Sequence, residues 1–203
     1  MVKNFAIVFV FISMVPAVCS ADDGAFGLAW GMTKVQVEKL GVKLEPSSAK
    51  LGIETLTTEK LPKNVSIAEA YSLTFDRKHN LQKVMMVSKD IDNDPYGSEG
   101  KKKYAELKES LITKYGQPSD VLEKVGGKLW DEKDEFYQCL AYAGCGMWVA
   151  LFEDKTSGQN IGLQLEGMTR GKGYIHLIYE GPKWSEAVDA MKAAEAQSDK
   201  DAL

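Results

Sequence analysis

The sequence predicts an α+β fold made of two similar helix-plus-antiparallel-sheet units in tandem. Three observations predict it: two segments with helical character that stop at glycine, an alternating strand at a similar distance beyond each, and a polar turn leading from each strand into another. Thr33, followed three residues later by Gln36, reads as a helix-capping box, and Gly41 closes that helix. Tyr104, Leu107, Leu111, Ile112 and Tyr115 recur at helical spacing and stop at Gly116-Gln117-Pro118.

The strand Tyr71–Asp76 begins 30 residues beyond Gly41, and the strand Met147–Phe152 begins 31 residues beyond Gly116. Side chains of a strand alternate between two faces, and both segments show that period. Each meets a polar turn, Arg77–Asn80 or Asp154–Asn160, and a further strand, Leu81–Ser88 or Ile161–Gly167. These correspondences set a first unit at 21–92, a linker at 93–100 and a second unit at 101–183. Tyr174–Tyr179 supplies one more strand, stopped by Gly181-Pro182. A helix capped by Ser185, ending in a frayed polar tail, accounts for 184–203.

Residues 1–20 have the three parts of a secretory signal peptide. Lys3 opens them, Phe5–Val15 is apolar apart from Ser13, and Pro16 precedes the small residues around Ser20 and Ala21. Cleavage is expected near Ser20/Ala21, giving a periplasmic or secreted protein. The apolar run is shorter than the roughly 20 residues a membrane span needs. Val18 before Cys19 is not the small residue a lipid-attachment signal requires. Loss of the signal leaves 24 basic against 29 acidic residues. That mildly acidic, dispersed charge excludes the basic footprint of a nucleic-acid binder and the basic helix of a membrane-surface protein.

Cys139 and Cys145 remain after cleavage, six positions apart, and in an oxidising compartment they are expected to form a disulfide that fixes a loop. The C-x-x-C spacing of a redox site is absent. Histidine occurs only as His79, expected in a solvated hairpin turn, and His176, within a strand. Zinc needs three or four nitrogen, sulfur or carboxylate ligands, so no metal site is expected. Asp90, Asp92 and Asp94 alternate as calcium-loop ligands would, but Pro95 and Lys101 occupy the positions that need Gly and Glu. No nucleophile elbow or phosphate loop is present, and no catalytic residue or cofactor is assigned. Tyr137 and Tyr142 flank or lie within the cystine loop, where a pre-ordered aromatic pair would serve as partner-binding anchors.

The run Gly31-Met-Thr-Lys-Val-Gln-Val-Glu-Lys-Leu-Gly41 resembles the G-M-T-x-x-Q-V…L-G signature of the SmpA/OmlA (BamE-like) envelope proteins. Tyr71–Leu81 is similar to that family's sheet hairpin, and Tyr115-Gly-Gln-Pro118 to its helix end. A duplicated module of this kind resembles the beta-lactamase inhibitor proteins, whose tandem helix–sheet units form a concave binding surface. The resemblance implies a non-enzymatic scaffold that binds another protein of the envelope or extracellular space, as an inhibitor, immunity-type or accessory factor. A hydrolase using carboxylates would instead show a deep acidic pocket, and a small-ligand or lipid carrier an apolar cavity.

Overall fold

The computed structural model describes residues 24–127 and 129–202, so the expected signal segment lies outside the described residues. The first half holds α1 (Lys34–Glu38), then β1 (Glu45–Lys50), β2 (Ile53–Thr58), β3 (Ala68–Asp76) and β4 (Asn80–Ser88). The second holds α2 (Ser98–Tyr115), β5 (Asp120–Lys124), α3 (Phe136–Ala141), β6 (Met147–Asp154), β7 (Gln159–Thr169) and β8 (Lys172–Glu180). Helix α4 (Trp184–Ala202) follows. All eight strands belong to one antiparallel sheet, in the order β1-β2-β3-β4-β8-β7-β6-β5.

The fold is α+β, as the sequence predicts, but its sheet is single. β4 pairs with β8 from Lys83↔Glu180 to Val87↔His176, joining the two meanders at the centre. The expected strand correspondence is also out of step. Counting from α1 and α2, the helices that open the two halves, the strand at Tyr71 is third and the strand at Met147 is second. The equal spacings hide different contents: two strands lie between Gly41 and Tyr71, whereas one strand, α3 and the cystine loop lie between Gly116 and Met147.

Local chemistry explains the element ends. At α1, the Gln36 amide N–H donates to Thr33 Oγ1 at 3.3 Å and the Thr33 N–H donates to Gln36 Oε1 at 2.8 Å, completing the capping box. Between β3 and β4, Asp76 Oδ2 accepts the amides of Lys78 and His79, fixing the turn. Helix α2 starts at Ser98, inside the expected linker, because Asp94 Oδ2 accepts the Gly100 N–H at 2.9 Å and ties the loop to the first turn. Helix α4 continues to Ala202 instead of fraying from Gln197, and Gln197 Nε2 donates to Asp201 Oδ1 one turn later.

One face of the sheet carries the core. Leu73, Val84, Tyr179, Ile161 and Phe152 form a row across five strands, with Met86, Leu177 and Leu163 beside it, and all are buried. Phe26 packs edge-on against Tyr71 at 5.0 Å and Tyr179 at 5.2 Å, closing the first half. Tyr104 and Leu111 of α2 and Phe136 and Tyr137 of α3 belong to the same core, and Tyr115 meets Tyr179 edge-on, so both helices cover this face in the second half.

The tightest join is around Tyr137. A Cβ on Gly173 would lie 2.3 Å from the Tyr137 ring, one on Gly167 would lie 1.9 Å from its carbonyl oxygen, and one on Gly100 would lie 2.2 Å from its hydroxyl. Glycine at these positions lets α3, α2 and the sheet approach to backbone distance. Replacing Gly173 with Ala is expected to destabilise the protein by about 2 kcal/mol or more through overpacking. Gly162→Ala, whose Cβ would have its nearest neighbour at an ordinary 3.7 Å, should shift stability far less. Urea unfolding of the two variants checks the contrast.

Candidate functional site

The opposite face of the sheet is not covered by α1, α2 or α3. Its centre is apolar: Met85 sits opposite Ile178, Val87 opposite His176, and Ile178 opposite Gly162, which faces Leu151. Val149 and Leu122 extend the band to the last strand. Met85, Val87, Val149 and Ile178 are half-buried between their neighbours, while Leu122, Met147 and Leu151 are exposed at 45%, 46% and 42%. A monomer rarely leaves a contiguous apolar band of this kind open to water unless something binds there.

Polar groups flank the band. Toward β1 and β2 lies a hydroxyl-bearing zone in which Thr55 and Thr74 hydrogen-bond across strands at 3.1 Å, with Ser72 and Thr57 paired beside them. At one strand end Lys83 Nζ meets Glu180 at 2.9 Å and lies 4.9 Å above the Trp184 ring. Helix α4 passes this end of the sheet. Its Glu186 lies 3.6 Å from His79 Nε2, and its Glu195 holds Lys50 Nζ at 2.6 Å. Of its described residues only Ala187 is buried, so α4 borders the face without sealing it. His79, expected to be solvated, is instead largely enclosed, with Nδ1 2.8 Å from Asp76 Oδ2.

Toward the other strand ends, Glu166, Tyr174 and His176 cluster on β7 and β8. Glu166 Oε1 lies 3.9 Å from His176 Nδ1, and the Tyr174 and His176 rings meet edge-on at 4.9 Å. Burial holds the Glu166 carboxyl above the ordinary glutamate range and the His176 imidazole below its ordinary value. Burial, and then the nearby Glu166 charge, also raises the Tyr174 phenol. The three side chains form a polar patch beside the apolar band.

The cystine forms as expected, Cys139 to Cys145, with 5.1 Å between the α-carbons. It closes the loop after α3 and anchors the segment beyond β5, where the Gly126 N–H donates to Cys139 Sγ at 3.1 Å. The two tyrosines part company here. Tyr142 is 50% exposed and available to a partner. Tyr137 is fully buried; its hydroxyl donates to Asp94 Oδ2 at 2.9 Å, and burial pushes its ionisation up. A residue with no surface cannot anchor a partner, so the expected contact role for Tyr137 is corrected to a core role. Asp94, the third aspartate of the calcium-like run, receives Tyr137 and the Gly100 amide.

Surface depressions are modest. The two larger ones, about 540 and 580 Å³, lie at the two ends of β1 and β2. A third, about 400 Å³, lies between α2 and the segment after β5, where Lys101 Nζ sits 4.0 Å from the Phe136 ring centre and Trp130 forms part of the wall. Among the described residues no three His, Cys, Asp or Glu side chains converge to hold a metal, and no helix is long and apolar enough to cross a membrane. Comparison with protein families, with curated proteins and with solved structures finds no match.

The open-face residues were not among the sequence candidates, yet a signal for them exists. β4 and β8 read apolar in both phases, with Met85, Val87 and Ile178 alternating with Val84, Met86, Leu177 and Tyr179. A sheet covered on one side only should be polar in the second phase.

As pH rises, the unfolded chain loses the Glu166 proton first, near the ordinary value of about 4.3, so holding the ionised carboxylate in the fold costs stability above that pH. Glu166→Gln is therefore expected to be more stable than the parent at pH 7 by up to about 1 kcal/mol, with the gain fading below about pH 4. His176 acts in the opposite direction: stability is lost as pH falls through about 6.5, because the unfolded chain takes up that proton first. Urea unfolding of the parent and Glu166→Gln across this range tests both signs.

Proposed function

We propose that this chain is a non-enzymatic, extracytoplasmic protein-binding module whose contact surface is the open face of the sheet. The observation that carries the reading is the apolar band from Met85 to Leu122, left uncovered while the other face is filled with core. An apolar centre with a polar rim of threonines, an ion pair and the Glu166–His176 cluster is the anatomy of a protein interface. Tyr142 in the cystine loop, on the helix-covered side, is a candidate accessory contact.

Strand order supports a duplicated origin. Each half opens with a helix and has four strands paired in chain order, with α3 inserted between the first two strands of the second half, and the last strands of the halves pair at the centre. Two such units, as in the beta-lactamase inhibitor proteins that the sequence resembles, give a platform twice as wide as one. The disulfide and the signal-like N-terminus support work in the periplasm or outside the cell. An inhibitor, immunity-type or accessory role follows from such a surface.

The test uses the secreted chain as bait in extracellular and envelope extracts, with a photo-crosslinking residue placed on either face. Ile178→Lys and Leu151→Lys, which put charge into the apolar band, are expected to weaken capture of the cross-linked partner at least about tenfold. Lys102→Glu, on the solvent side of α2, should leave it unchanged. Circular dichroism confirms that each variant is folded. Equal capture by all three would remove the open face from the interface.

A further inference from the structure

The eight-stranded sheet has two free edges, and they are built differently. β1 contains Pro46, its register with β2 shifts between Pro46 and Ser48, and its final residue Lys50 is tied to Glu195 of α4. Proline, irregular pairing and lysine are devices that stop a strand from accepting a neighbour. β5 has neither the proline nor the broken register, and its one lysine, Lys124, stands at its end. Its five residues pair with β6 without a break, from Asp120↔Leu151 to Lys124↔Met147. It exposes Val121 at 42% and Leu122 at 45%, with Met147 and Leu151 equally open on β6.

The sequence of β5, Asp-Val-Leu-Glu-Lys, is complementary to itself when reversed. In an antiparallel pairing of two copies centred on Leu122, the open-face side chains meet as Asp120 with Lys124, Leu122 with Leu122, and Lys124 with Asp120. Opposite charges and apolar pairs directly across two strands are stabilising, and like charges there are not. Neither Asp120 nor Lys124 has an ion-pair partner within its own chain among the described residues. On the other side Val121 meets the stem of Glu123, whose carboxylate is already held by Lys108 Nζ at 2.5 Å.

We infer that β5 is a homotypic docking edge through which two copies of this chain pair antiparallel about Leu122. The pairing extends the sheet across both copies and brings their apolar bands together. It uses the strand edge and needs no second protein, and it shares only Leu122 with the band proposed for the open-face partner.

Analytical ultracentrifugation of the secreted chain up to roughly 100 µM reads the association directly. The parent is expected to dimerise. Asp120→Lys and Lys124→Asp each replace both cross-strand ion pairs with repulsion and should weaken the dimer about tenfold or more. An equimolar mixture of the two variants restores opposite charges at both positions and should recover the dimer. Both substitutions are exposed, and thermal unfolding confirms that the variants remain folded. A parent that stays monomeric, single variants that dimerise as the parent does, or a mixture that fails to recover overturns the proposal.

Discussion

The pairing of β4 with β8 is the interaction on which the rest of the architecture depends. Each strand ends a meander, and their five aligned pairs turn two four-stranded halves into one sheet. The alignment sets Val84 beside Tyr179 and Met86 beside Leu177 on the covered side, and Met85 beside Ile178 on the other. A slip of one residue would send every side chain of one strand to the wrong face. The central ladder therefore determines at once where the core lies and which apolar residues are left over.

Those leftover residues make physical sense only with the helices in view. Phe26, α2 and α3 supply cover for a single layer, and they are spent on the face bearing Leu73, Val84 and Leu163. α4 offers little more, because charged contacts such as Lys50–Glu195 hold it at the strand ends. Exposed pairs of that kind contribute little to stability.

The sequence made some elements legible and hid others. The capping box at Thr33 and Gln36, the stop at Gly116, the hairpin around Arg77–Asn80 and the cystine are local chemistry, and each is present. The edge strands β1 and β5 were not legible, because an exposed strand has no buried phase and so no alternation to detect. Tyr137 was misjudged for a related reason. It follows the charged run Asp131–Glu135 and lies near a cystine, but its burial comes from Gly100 of α2 and from Gly167 and Gly173 of the β7–β8 hairpin, both distant in sequence. Asp94 is likewise explained by a hydroxyl arriving from α3, not by its spacing from Asp90 and Asp92. The open face lay between these cases: its apolar second phase was written in β4 and β8, but which phase would be covered depended on helix placement.

The irregular β1 edge has a consequence for the opposite end of the molecule. A sheet with two receptive margins can add protomers without limit and grow into a fibre. Here one margin is blunted by Pro46 and its broken register. Any assembly through the other margin is used up once two copies have met, which gives a closed object of fixed size in place of an open-ended ribbon.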